Sequence, residues 1–158
     1  AVLLILIIFT FFARIVSVNG ESMLPTFKHG DWLTVSAVTT EVKRGDVVVI
    51  TQPNALNEPL IKRVIAKGGD TINIDFATGE VIVNGEVQNE PYIAEITERK
   101  GDFEGEIVIP DGYLFVMGDN RNHSSDSRDA SLGMVHESNI LGRLILRLWP
   151  IADFGFVK

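Results

Sequence analysis

Residues 1–13, Ala-Val-Leu-Leu-Ile-Leu-Ile-Ile-Phe-Thr-Phe-Phe-Ala, carry no charge, and Arg14 ends the run. Beyond it the pattern changes to short apolar segments broken by turn residues. Val, Ile and Thr dominate these segments, which favours strands. Strands are predicted at Trp32–Ala37, Asp46–Ile50, Ile61–Ala66, Thr71–Asp75, Glu80–Val83, Glu86–Gln88, Glu106–Ile109, Tyr113–Met117 and 142–149. Asn84-Gly85, between Val81-Ile82-Val83 and Glu86-Val87, is a two-residue hairpin signal. Gly68-Gly69-Asp70 and Ala77-Thr78-Gly79 mark further turns. Past the N-terminal run only Ser138-Asn139-Ile140 reads as a helical turn. Residues 89–105 are more polar and read as an exposed excursion or small lobe. Many short strands at close spacing predict a mainly β domain, a folded antiparallel sheet or barrel.

A bilayer-spanning helix needs about 20 apolar residues, more than this run supplies. The chain given opens on Ala1, not Met. The favoured reading makes 1–14 the C-terminal part of a transmembrane anchor helix, followed by a β-rich catalytic domain over 15–158. Arg14 would then snorkel to the headgroups. A secretory signal core is the second reading, weakened by the lack of a basic stretch before the run and of a small-x-small site after it. A buried core helix or strand is the third.

The chain has 158 residues, enough for one domain, and 46% are hydrophobic, enough for a core. A formal net charge of −7 argues against a nucleic-acid partner, which calls for a basic patch. There is no cysteine, so disulfides, thiolate zinc sites and cysteine nucleophiles are excluded. Asp and Asn in 118–129 are spaced loosely like a calcium loop, but the central glycine is missing. No metal and no cofactor is expected.

A serine needs a base to become a nucleophile. Lys62 lies in Leu60-Ile61-Lys62-Arg63-Val64-Ile65-Ala66, an apolar strand where a lysine is out of place unless it points at something. Alternation puts Lys62 and Arg63 on opposite faces, so only one is expected to face the core or a cleft. Burial would lower the Lys62 pKa, as a base working near neutral pH requires. Ser22, in Gly20-Glu21-Ser22-Met23, is the candidate nucleophile. His29, His123 and His136 fall in turn-like regions, which leaves a Ser-His-Asp triad as the alternative.

Taken together, Ser22-Met23-x-Pro25-Thr26, Gly45-Asp46-Val47, Lys62-Arg63-Val64-Ile65 with Gly69-Asp70, and Gly118-Asp119-Asn120-Arg121 through Ser124, Asp126 and Arg128 resemble the type I signal peptidases of bacteria. The resemblance covers almost the whole chain. It implies a Ser-Lys serine endopeptidase that removes signal peptides from exported preproteins after small residues of the Ala-x-Ala type. Ser22 would be the nucleophile and Lys62 the general base, and Ser124 would hydrogen-bond and orient the Lys62 ammonium. Arg63, Asp119, Asp126 and Arg128 would form structural ion pairs. The Ser22 N–H would donate to the oxyanion. Some members carry a serine or threonine donor where this chain has Gly20, so a main-chain N–H at Gly20 is the candidate second donor.

Apolar residues flanking the dyad, Val16, Val18, Met23 and Ile61, are expected to line the substrate pockets. Trp32, Trp149, Phe154 and Phe156 are expected either to rest on lipid or to fill the core. The resemblance implies an enzyme anchored in the cell membrane with its catalytic domain on the extracytoplasmic side; the residues themselves do not say which side. Two other readings stay open: a Ser-Lys maturation peptidase of conjugation or self-cleaving type, and a non-catalytic anchored β-module.

Overall fold

The computed structural model describes residues 13–36, 41–51 and 58–157. The apolar run up to Phe12, and with it the anchor helix, lies outside the described residues. Among those residues no helix is long and apolar enough to cross a membrane.

Twelve strands are described. They are β1 (Ala13–Ser17), β2 (Trp32–Ser36), β3 (Val47–Ile50), β4 (Leu60–Lys67), β5 (Thr71–Asp75), β6 (Glu80–Val83), β7 (Glu86–Val87), β8 (Ile107–Val108), β9 (Tyr113–Met117), β10 (Val135–His136), β11 (Ile140–Trp149) and β12 (Gly155–Phe156). The larger, curled sheet is antiparallel, in the order β1-β2-β11-β3-β4-β9-β10, with β12 also paired to β11. The smaller sheet runs β7-β6-β5-β8. β1 begins at Ala13, two residues inside the segment assigned to the anchor, and pairs with β2 along its whole length.

β4 is the strand that positions the site. It lies between β3 and β9, with Val48 opposite Lys62 and Val47 opposite Arg63. The expectation that only one of Lys62 and Arg63 is covered is corrected here, because both are buried. Both faces of this central strand are covered. Ile61 packs against a core of Val18, Met23, Phe27, Leu33, Val35, Val47, Val49 and Leu144. On that same face Tyr92 stacks on the Arg63 guanidinium at 3.9 Å, and on the opposite face Leu60 and Val64 pack with Val48, Ile50, Leu114 and Val116. Residues 89–105 are exposed for most of their length but are pinned by buried Thr97 and Phe103 and by Tyr92. Trp32, Trp149, Phe154 and Phe156 are all exposed, so the core reading of these aromatics is set aside.

Candidate active site

Ser22 sits in a tight turn between β1 and β2. Main-chain bonds from Val18 N–H to Asp31 C=O and from Gly30 N–H to Val18 C=O, both 2.9 Å, close that loop at its base. Met23 and Phe27 are buried and joined by a 2.9 Å Phe27 N–H to Met23 C=O bond. Sinking these two apolar side chains into the core leaves Ser22 at the surface of the cleft. Lys62 reaches it from β4, with Nζ 2.8 Å from Ser22 Oγ. Burial lowers the Lys62 pKa from 10.5 to about 8 and is the largest influence. The Asp126 carboxylate pulls it back, the Arg128 cation pushes the same way as burial, and Asp119 opposes.

Asp119 joins three parts of the chain. It takes a bidentate pair from Arg63, Nε to Oδ1 at 2.8 Å and Nη2 to Oδ2 at 2.7 Å, and accepts the Thr26 hydroxyl from the serine turn. Planar fork-on-fork pairs fix orientation as well as distance. Arg63 Nη1 also donates to Gly45 C=O at 2.8 Å. The loop after β9 clamps the nucleophile turn directly. Asn120 N–H donates to Ser22 C=O and Asn120 Nδ2 to Glu21 C=O, both at 3.0 Å. A Cβ on Gly118 would stand 2.5 Å from Ser22 C=O, so glycine permits this close approach.

The Asp126–Arg128 pair is buried, with Nε to Oδ1 at 2.9 Å and Nη2 to Oδ2 at 2.8 Å. Arg128 ties the loop to Arg99 C=O and Arg121 C=O. Arg121 in turn grips Glu90 through two bonds of 2.8 and 2.6 Å.

Two expected roles are not formed here. Ser124 Oγ is buried and has no hydrogen-bond partner, so it does not hold Lys62. It packs against Gly118, where a Cβ would stand only 2.2 Å from Oγ, while the Lys62 amine is turned to Ser22. Gly20 has φ +92°, a backbone conformation glycine tolerates, and its N–H donates to His29 Nδ1 at 3.3 Å. That hydrogen is engaged across the turn, which corrects its expected place in the oxyanion hole. Among the described residues the Ser22 N–H has no partner.

All four predicted pocket residues, Val16, Val18, Met23 and Ile61, line one cavity of about 390 Å³ that also reaches Ser22 and Lys62. A second cavity, of about 320 Å³, borders the dyad on the other side.

A family model described as signal peptidase, peptidase S26, matches residues 1–149. The chain belongs to the signal peptidase family. A signal peptidase I from Leptolyngbya laminosa is 37% identical over 166 residues, covering 98% of this chain and 78% of that one. A signal peptidase IB from Staphylococcus aureus (strain MRSA252) is 31% identical, covering 99% of this chain and 88% of its own length. The crystal structure of a signal peptidase I from Enterococcus faecalis V583 aligns with TM-score 0.52 and 26% identity, over 66% of this chain and 97% of that one.

Several residues that support the Ser22–Lys62 contact had no role assigned from the sequence: Thr26, Glu90, Tyr92, Asn120 and Arg121. Glu90 and Tyr92 sit in a polar stretch that reads as solvated, and only the fold brings them to Arg121 and Arg63. Thr26, Asn120 and Arg121 lie inside the motifs that carry the resemblance, which is the signal that could have found them.

Proposed function

We propose that the chain removes signal peptides from exported preproteins with Ser22 as nucleophile and Lys62 as general base. The carrying observation is the 2.8 Å approach of a buried amine, its pKa lowered to about 8, to the serine hydroxyl. The neutral amine accepts the Ser22 proton as Oγ bonds to the scissile carbonyl carbon. The Ser22 N–H donates to the oxyanion. The C–N bond then breaks, the Lys62 ammonium protonates the leaving amine, and water repeats the sequence on the acyl-enzyme. An extended cleavage region lies along the edge strand β1. Its small side chains enter the cavity lined by Val16, Val18, Met23 and Ile61.

Ser124 serves this cycle as a positioning residue. Its buried hydroxyl has spare acceptor capacity for the Lys62 ammonium formed when the amine takes the serine proton. Such an unpartnered hydroxyl costs about 1–3 kcal/mol, so Ser124→Ala is expected to leave the melting temperature unchanged or higher. The same variant is expected to lower kcat by about tenfold or more with KM little moved. An unchanged kcat removes Ser124 from the mechanism.

The exposed aromatics support a membrane-resting face. Trp32 and Trp149 are register partners on β2 and β11 and are 54% and 52% exposed, and Phe156 on β12, opposite Leu146 of β11, is 79% exposed. Trp favours the lipid–water boundary. The enzyme is accordingly proposed to work at the cell membrane, with its catalytic domain on the extracytoplasmic side.

The test is incubation with a preprotein carrying an Ala-x-Ala site, followed by N-terminal sequencing of the product. Cleavage after the last alanine by the parent, and none by Ser22→Ala, is expected. Cleavage retained in Ser22→Ala overturns the proposal.

A further inference from the structure

The dyad stands between two cavities, not at the end of one. They share Asn19, Ser22, Leu60 and Lys62, so they are two halves of one groove. Their other walls differ. One half is built mainly from the apolar residues already assigned to the signal-peptide side. The second is lined by Gly20, Glu21, His123, Ser125, Ser131 and Leu132, most of them exposed.

We infer that this second half is the subsite for the first residues of the mature protein, the segment released as the amine product. The inference rests on the proposed peptidase function. An endopeptidase must hold chain on both sides of the bond it cuts. A strand advances about 3.3 Å per residue, so the residues just past the scissile bond fall within a groove half this close to Ser22. The first half already takes the small side chains of the signal peptide, which leaves the second half, across the dyad, to the mature start. Lys62 borders both halves, as the acid that must reach the departing nitrogen from the mature side.

Two selectivities follow. Ser131 and Leu132 form a wall that limits the size of the first mature residues. Glu21 is the one carboxylate on this lining and is exposed, so it favours a cationic residue there over an anionic one.

The experiment uses two series of preproteins, one varied at the first two mature residues and one at the last and third-last signal residues. Ser131→Trp is expected to lower kcat/KM for bulky first mature residues about tenfold relative to alanine, with the signal-side ranking unchanged. Glu21→Lys is expected to shift the preference between lysine and glutamate at the second mature position by about fivefold toward glutamate. If both variants change the two series in parallel, or neither changes the mature-side ranking, the subsite assignment is overturned while the peptidase stands. If the parent cuts no preprotein, the proposed function itself fails, and the subsite with it.

Discussion

Replacing Lys62 by methionine is expected to abolish preprotein cleavage, by about 10⁴-fold or more, while making the protein more stable at pH 7. Loss of cleavage alone is what any damaged enzyme shows; the combination is diagnostic. Methionine keeps the packing volume and removes the amine that stands 2.8 Å from Ser22 Oγ. The stability gain follows from the depressed pKa. The folded state holds Lys62 near pKa 8, below its ordinary 10.5 in the unfolded chain. Below about pH 8 both states are protonated, and folding pays the full cost of burying the ammonium, on the order of 3 kcal/mol. Between pH 8 and 10.5 the folded amine is neutral while the unfolded one still binds a proton, so the cost fades as pH rises. The Lys62→Met gain is therefore expected to be constant below pH 8 and to vanish toward pH 10.5, read from melting temperatures across that range.

The same residue sets the rate profile. Below pH 8 only the neutral fraction of Lys62 can accept the serine proton, so kcat/KM of the parent is expected to rise about tenfold per pH unit and to level off near pH 8. A flat profile from pH 6 to 8, together with a Lys62→Met variant that melts lower than the parent, would remove the lysine base.

This dyad was legible because a lysine inside Leu60–Ala66 violates its strand's own pattern. Local signals also fixed much of the smaller sheet. Asn84 and Gly85 adopt φ +54° and +79°, the paired positive angles of a type I′ hairpin, and β5, β6 and β9 fall on their predicted bounds. Strands defined by partners were not legible. β10 and β12 are two residues each and exist because β9 and β11 lie beside them. β1 was hidden by the apolar run before it. The ion-pair residues of the site were legible only through the family resemblance, and how they link the segments was not. The Arg63–Asp119 pair spans 56 positions, and its role depends on Thr26 arriving from a third segment. The Ser124 hydroxyl and the Gly20 N–H took directions that only the packed Gly118 contact and His29 decide.

Asp119→Ala is expected to cost about 3–5 kcal/mol of stability, because it removes the bidentate carboxylate that pairs with the fully buried Arg63 cation. That is a large share of the roughly 5–15 kcal/mol that holds a domain together. Denaturant unfolding measures it. The double variant Arg63→Met/Asp119→Leu separates charge from shape, since a buried ion pair replaced by apolar groups of similar volume is often neutral. The double variant is therefore expected to recover most of the lost stability. It is not expected to recover activity. Thr26 loses its acceptor in both variants, so the serine turn is no longer fixed to the lysine strand through a shared carboxylate. A displacement of about 1 Å between nucleophile and base costs about 10²-fold. Stability and rate should thus part company in the double variant. If Asp119→Ala costs less than about 1 kcal/mol, or if the double variant regains full kcat, Asp119 is not the link that sets the distance between Ser22 and Lys62.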